Sequence, residues 1–580
     1  MLEKILYGIG VSSGISIGKV FVVDKNEEYY EYKNISSDKV SNELKRLNKA
    51  REKCAADLDK LIEKVKVEFG DEKAFIIEGQ KSFLTDPSFY PEIEGYIKKD
   101  FFSAEKALKK VVEKFVDIFE KMNSDYMKER ASDIKDIGNR FSNYLNPDNK
   151  IFDLKSIKEK VILVADDLLP SDTVQLERKY ILGLVIAKGG KTSHTSIFAS
   201  SMGIPAVISI NNLCNLIKNN DNVIVDGDKG ICIINPEKTT LEKYKQRLEN
   251  KKTEVDLYNK YKKEKAITKD GLYIKIAANI GSLDEAIQAN ENGAEGIGLL
   301  RTEQVYMSSK KLPDEEIQLH TYKGIVDKMS SQSVIIRTLD IGGDKELPYL
   351  ENEKELNPFL GYRAIRLCLG HEEIFITQLR AILRASAFGK IKLLIPMISC
   401  FDELKKTKDL IEKVKKQLSE EKIAFDKEIK LGMMIEIPST AIMIENYVKE
   451  VDFFSIGTND LVQYTMAVDR INDKVSYLYD NFHPAIINLI KKVTEVAHSH
   501  GKFVGICGSM AGEYLAIPIF IALGIDELSM TANSIPKIKY TINQLSRKDC
   551  ILLLNKILKC QMGLDIKSNL QNFLLERKLY

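Results

Sequence analysis

Between residues 273 and 530 short apolar runs alternate with helical stretches. The runs are Tyr273–Ala278, Gly296–Leu300, Val334–Ile336, Leu393–Pro396, Gly432–Ile435, Phe453–Ile456, Phe503–Ile506 and Glu527–Met530. Parallel strands need long crossovers, and intervening helices supply them. Eight repeats of this unit predict a (β/α)8 barrel, with a doubly wound open sheet as the competing arrangement. The polar residues favour the barrel. Arg301, Arg337, Glu436, Asn459, Asp460 and Cys507 each stand at the C-terminal end of a run, on the face where barrel enzymes carry their active sites.

A single arginine at a strand end is ordinary surface chemistry. As a set these residues have a theme. Arg301, Arg337 and Arg363 offer planar, permanently charged donors suited to carboxylate and phosphate. Glu436 and Asp460 end consecutive strands and could meet at a hard divalent cation such as Mg²⁺, which takes a few carboxylates plus substrate oxygens and water. Asn459 adds an amide, and Arg470 follows on the same loop. The substrate so described is small, highly anionic and phosphorylated. Cys507 is a proton donor without a charge partner, and a buried structural thiol accounts for it equally well.

The rest of the chain has a different rhythm. Two β-like runs, Ile5 to Val11 and Gly18 to Val23, precede a helical pattern from Ser36 to about Tyr144, with Leu44, Leu47, Cys54, Leu58, Leu61 and Val65 at three- and four-residue steps. β-like runs resume between Val161 and Ile234. The expectation is one α/β domain from residues 1–33 and 150–235, with a bundle of roughly four helices, 34–149, inserted in it. Residues 236–266 lack glycine and predict an exposed helical linker joining bodies that move relative to each other. Residues 267–580 complete the barrel domain.

The second chemical feature is His194, in the run IAKGGKTSHTSIFASSMGIPAV. Gly189 and Gly190 permit positive φ and close approach to an anion. Thr192, Ser193 and Thr195 add hydroxyls, and Ser196 to Met202 predicts a short helix stopped by Gly203 and Pro205. A helix N-terminus aimed at an imidazole suits a phosphoryl carrier. A nucleotide-binding P-loop fails on spacing, because Val185 stands where its first glycine belongs.

Composition narrows the classes. Lys plus Arg number 86 against 84 Asp plus Glu, so no polybasic surface argues for nucleic acid or an anionic membrane. Eight scattered cysteines without metal-ligand spacing suit reduced thiols. The longest apolar run, Leu515 to Ile525, is too short to span a bilayer and contains Pro518. The expectation is a cytoplasmic protein without membrane insertion.

Nearly end to end, these blocks resemble enzyme I of the bacterial phosphoenolpyruvate-dependent sugar phosphotransferase system. GGKTSHTSIFASSMGIPAV is similar to that family's phosphohistidine signature. GAEGIGLLRTE, IIRTLDIGGDKELPYLENEKELNPFLGYRAIR, QLRAILRASAFGK and EVDFFSIGTNDLVQYTMAVDR are similar to its substrate-domain blocks. The resemblance implies a transferase in which His194 takes the phosphoryl group of phosphoenolpyruvate and passes it to a histidine of a small phosphocarrier protein. It implies that Thr173 hydrogen-bonds the imidazole and that Arg301, Arg337, Asn459 and Arg470 hold substrate with help from Arg363. It further implies that Glu436 and Asp460 bind Mg²⁺, that Cys507 protonates the enolate, that the inserted bundle docks the carrier, and that the barrel domain forms a homodimer. A swivel about the helical linker would carry His194 between donor and acceptor. The chain differs from the family pattern at Lys191, Ile186, Ala187, Gln304 and Ser509, and at Gln80 and Lys81 on the bundle.

Two rival functions compete. Pyruvate phosphate dikinase or phosphoenolpyruvate synthase has a similar histidine and barrel, but needs a nucleotide-binding domain where this chain has a helical pattern. A regulatory phosphoprotein with little turnover would not need the full set of arginines and carboxylates.

Overall fold

The computed structural model describes residues 3–23, 34–69, 71–121, 125–145, 154, 157–168, 170–173, 176–190, 194–309, 311–329, 331–342, 347, 349, 355–472 and 474–579. The chain forms two compact units, Met1–Lys252 and Thr253–Tyr580.

The first unit is built on one sheet. Its strands are β1 (Lys4–Tyr7), β2 (Ile9–Ser12), β3 (Ile15–Val23), β4 (Val161–Ala165), β5 (Ile181–Ile186), β6 (Ala206–Ile208), β7 (Asn222–Asp226) and β8 (Ile231–Ile234). They run β1-β8-β7-β3-β4-β5-β6-β2. β3 and β4 are parallel neighbours, paired from Lys19 and Val161 to Val23 and Ala165. The chain therefore leaves the sheet at Val23 and re-enters beside its own exit. β1 and β2 lie at opposite edges although only Gly8 separates them, so the sheet curls until its edges nearly meet. Gly8 donates its N–H to the Gly230 carbonyl at 2.9 Å, and a Cβ at Gly8 would lie 2.3 Å from the Ile208 oxygen.

Between β3 and β4 the described residues form helices Val40–Phe69, Asp71–Phe83, Tyr90–Asp100, Ala104–Glu120 and Asp125–Leu145. Leu47, Leu58, Phe89, Ile93, Val111 and Phe141 fill their shared core. There are five helices where the apolar period suggests four. One break falls at Asp86, whose carboxylate accepts the Ser88 N–H at 2.7 Å and so offers the backbone a turn in place of a further helical bond.

Helix Lys238–Asn259 differs from the exposed linker expected. Tyr244 is buried against Ile15, Ile224 and Ile233, with Leu241 and Leu248 beside it. Arg247 pairs with the fully buried Asp226 at 2.8 Å. The apolar series read as a semi-rigid connector thus anchors the first part of the helix to its own sheet, while Val255 further along is half exposed.

The second unit is the barrel. β9 (Lys275–Ile280), β10 (Ile297–Arg301), β11 (Val334–Arg337), β12 (Ile391–Ile395), β13 (Lys430–Ile435), β14 (Phe453–Ile456), β15 (Phe503–Ile506) and β16 (Glu527–Met530) close on themselves. Every neighbouring pair is parallel. β9 begins two residues later than its apolar run because Tyr273 forms an antiparallel bridge with Ile267 instead. Leu299, Ile335, Leu394, Met434, Phe453 and Cys507 pack inside the barrel, with Phe503 against them.

Candidate active site at the barrel mouth

Strand register sets the first two arginines side by side: Arg301 ends β10 and is the register partner of Arg337, which ends β11. Glu436 follows β13, Cys507 follows β15, and Asn459 and Asp460 occupy the first turn of helix Thr458–Met466 after β14. Short parallel strands that end together deliver these side chains to one rim. Arg301, Arg337, Arg363, Glu436, Asn459, Asp460, Arg470 and Cys507 all line a single cavity of about 250 Å³, joined by Asp340.

The arginines are not equivalent. Arg337 is buried and binds two acids, Glu303 Oε1 at 2.6 Å and Asp340 Oδ2 at 2.9 Å. Arg363 is buried too and donates through Nη2 and Nε to Asp340 Oδ1, at 2.8 and 3.2 Å. Asp340 is therefore one carboxylate shared by two guanidinium groups. Burial alone would lower the pKa of both arginines, but these carboxylates hold it above the usual range. Arg470 reaches Asp460 Oδ1 at 3.2 Å. Arg301 is exposed at the rim, and among the described residues it has no ion pair. Arg337 Nε is buried with no acceptor among them, a donor left over for something bound in the cavity.

Glu436 is buried, and its Oε1 accepts the Met397 N–H at 2.7 Å. Burial and the nearby Asp460 and Asp340 charges push its carboxyl well above the usual range. Gly457 leaves space for the other oxygen, because a Cβ there would lie 2.8 Å from Glu436 Oε2. Crowded hard oxygens whose repulsion a cation would relieve form a donor set that fits Mg²⁺. Among the described residues no group of three or more His, Cys, Asp or Glu gathers as a metal site, so further ligands would have to be substrate oxygens and water. Asn459 is oriented by the Ser509 N–H, which donates to its Oδ1 at 2.8 Å. Burial pushes the Cys507 thiol up to about 11, so it carries its proton at neutral pH, donating to the Ile456 carbonyl with sulfur 3.6 Å away.

His194 lies in the first unit, as the first residue of helix His194–Ser201. The helix starts two residues earlier than the apolar pattern indicates. Thr195 Oγ1 donates to the Leu168 carbonyl at 3.1 Å and Ser196 Oγ to the Gly190 carbonyl at 2.8 Å, tying the helix start to the loop before it. Gly189 has φ 108°, and Gly203, past the helix end, has φ 60°, which only glycine adopts without strain. Gly190 faces open space. Thr173 is buried at the end of helix Pro170–Thr173. Lys191, Thr192 and Ser193 lie outside the described residues.

Residues 255–547 match the family described as PEP-utilising enzyme, PEP-binding domain, where PEP is phosphoenolpyruvate. Residues 7–130 and 157–230 match the N-terminal and mobile domains of PEP-utilising enzymes. The chain is 44% identical over 548 residues to the phosphoenolpyruvate-protein phosphotransferase of Priestia megaterium, covering 94% of this chain and 95% of that protein. It is 45% identical over 559 residues to the protein of the same name from Bacillus subtilis, covering 95% and 96%. The chain belongs to the phosphoenolpyruvate-protein phosphotransferase family. A solved NMR structure of an Enzyme I protein is 38% identical, spanning 43% of this chain and 99% of that one at a TM-score of 0.38.

In this phosphotransferase family member the whole cavity lining falls within the 255–547 match, while Thr173 and His194 fall within 157–230. Sequence reasoning passed over Asp340 and Glu303. A signal for Asp340 exists, an acid three residues after Arg337 on the same rim. Glu303 acts through a contact that spacing does not reveal. Gln80, one of the departures from the family pattern on the bundle, is buried and donates to Asp133 at 3.3 Å and Asp136 at 3.2 Å. Lys81 is half-buried and pairs with Asp59 at 2.5 Å.

Proposed function

We propose that this chain is a phosphoenolpyruvate-protein phosphotransferase: it moves the phosphoryl group of phosphoenolpyruvate to His194 and then to a histidine of a small phosphocarrier protein, the first step of sugar uptake by phosphotransfer. The observation that carries this reading is the convergence of four arginines, an amide, a carboxylate pair and a protonated thiol on one small cavity.

Phosphoryl transfer requires in-line positioning and charge neutralisation. Arg301, with no ion pair among the described residues, and Arg470 at the rim suit the phosphate oxygens, and Arg337 with its spare Nε and Arg363 suit the deeper part of the anion. Asn459 fixes orientation. The His194 Nε2 lone pair attacks phosphorus, a P–N bond forms, and the bridging P–O bond breaks with its electron pair passing to the enolate. Cys507 Sγ–H delivers the proton to the methylene carbon, which yields pyruvate, and the thiolate is reprotonated from solvent. Glu436 and Asp460 would hold Mg²⁺, which neutralises phosphate charge when bound. Thr173 would hold the imidazole by a hydrogen bond. In the second half-reaction the P–N bond breaks as the carrier's histidine attacks.

His194 and the cavity belong to different units, and in this reading a swivel with helix Lys238–Asn259 as the hinge region carries the imidazole between donor and acceptor. Because its first part is anchored to the sheet, the bending residues belong beyond Arg247. The bundle of residues 34–149 is the proposed carrier-docking element. Exposed Leu356, Leu360, Ile471 and Tyr477 support self-association through the barrel unit. Eight cysteines without a disulfide support a reducing, cytoplasmic setting. Among the described residues no helix is long and apolar enough to cross a membrane.

The test is incubation with radiolabelled phosphoenolpyruvate and Mg²⁺ followed by peptide mapping. Acid-labile, base-stable label on the His194 peptide is expected, and label on another residue overturns the assignment.

A further inference from the structure

A second cavity, of about 350 Å³, lies at the opposite end of the barrel. Strand starts surround it. Lys392 lies near the start of β12, Lys430 opens β13, Phe453 opens β14, and Lys502 and Phe503 lead into β15. None of these residues belongs to the mouth.

Lys392 is the informative member. Its Nζ stands 5.2 Å from the centre of the Phe453 ring and 4.8 Å from that of Phe503. Among the described residues its ammonium makes those two cation–π contacts and no hydrogen bond or ion pair, so its three donors remain available to solvent or a ligand. The acid that could have served it is taken, since Glu527, buried within the barrel, pairs with Lys275 at 2.8 Å. Burial, helped by the nearby Lys275 charge, pulls the Lys392 pKa down against the opposing pull of Glu527 and Asp452.

The rim repeats the pattern. Lys502 Nζ spends one donor on the Val451 carbonyl at 2.8 Å. Lys430 stands 3.5 Å from Asp452, whose second oxygen already accepts the Leu431 N–H at 2.9 Å. Three ammonium groups against the one carboxylate leave the lining with a net charge of two positive units when His500 is neutral. Two rim lysines, Lys430 exposed and Lys502 half-buried, would alone mean little. A third, half-buried and held near two phenyl rings with its donors uncommitted to any acid among the described residues, makes a place for an anion.

We propose that the base of the barrel binds a phosphate dianion carried on a small molecule, with Lys392 as the central ligand and Lys430 and Lys502 at the rim. The half-buried Phe503 ring beside them would favour a phosphate attached to a flat apolar group over the free ion. Phe453 and Phe503 pack in the same interior cluster as Met434 and Cys507, so an occupant at the base presses on a stack of side chains that ends at the mouth.

The test uses the full chain and reads each lysine separately, so that phosphate binding at the mouth does not interfere. A brief acetic anhydride pulse is applied across titrations of inorganic phosphate and of phenyl phosphate, and lysine acetylation is quantified by peptide mass spectrometry. Modification of Lys392, Lys430 and Lys502 should fall several-fold with a common midpoint. Lys405 and Lys406 should not change. Phenyl phosphate should reach the midpoint at lower concentration than inorganic phosphate. In Lys392→Met, which keeps the apolar stem, protection of Lys430 and Lys502 should vanish while the melting temperature holds. Equal modification throughout, or the same protection from chloride at matched ionic strength, overturns the proposal.

Discussion

The barrel mouth and the His194 segment are opposite solutions to handling a phosphoryl group. At the mouth, buried charges hold one another: Arg337 is fixed by Glu303 and Asp340, and Asp340 also fixes Arg363. Beside His194 the helix start is held by neutral bonds, Thr195 to the Leu168 carbonyl and Ser196 to that of Gly190. A site that must neutralise a multiply charged substrate benefits from rigid, prepaid electrostatics. A carrier that must receive the group and give it away benefits from a weaker hold.

Substitutions can break this contrast. His194→Ala should remove all transfer to the carrier while leaving phosphoenolpyruvate affinity at the mouth unchanged, read by transfer assay and calorimetric titration; lost affinity would mean that the two regions are not separable. Arg301→Ala should lower turnover by about 10²–10³-fold, as for loss of one transition-state donor, and leave the melting temperature nearly unchanged because Arg301 is exposed and has no ion pair among the described residues. Arg337→Ala should instead cost about 3–5 kcal/mol of stability in denaturant unfolding, because buried Glu303 loses its guanidinium partner while Asp340 keeps only Arg363. Similar stability losses for both would contradict the distinction drawn between them.

Smaller effects sharpen it. Ser196→Ala removes a neutral buried hydrogen bond and should cost about 1 kcal/mol, with transfer slowed more than pyruvate affinity is altered. Asp270 is a control remote from both regions. It accepts the Arg547 and Lys548 N–H groups at 2.8 and 3.0 Å, at the start of helix Arg547–Ile557. Those bonds and that of Thr268 lower its pKa from 3.8 to about 2. Because the folded value lies below the unfolded one, its stabilisation is present above about pH 4 and is lost as pH falls towards 2. Asp270→Asn should flatten that limb of the unfolding curve, cost no more than about 1 kcal/mol at neutral pH, and leave transfer untouched.

Much of this was legible in the residues. β14, β15 and β16 coincide with their apolar runs, and the rim residues could be found because parallel strands of matched length end at one level. Asp340 and Glu303 were harder because their role is to hold other side chains, and such a role depends on distance across the rim. The buried place of Gln80 was hidden for a related reason: its contacts with Asp133 and Asp136 lie more than fifty residues along the chain. The linker helix misled because Leu241, Tyr244 and Leu248 among many lysines and glutamates resemble a solvated helix until the sheet beneath is known.

The double duty of Asp340 bears on how a spent product leaves. With that carboxylate already committed to two guanidinium groups, the rim confronts an incoming ligand with much less bare positive charge than its arginine content implies. A trianion can still compete for those donors. Pyruvate, with a single charge once the phosphoryl group has gone, competes far less well, and the restored internal pairing helps the cavity empty for the next round.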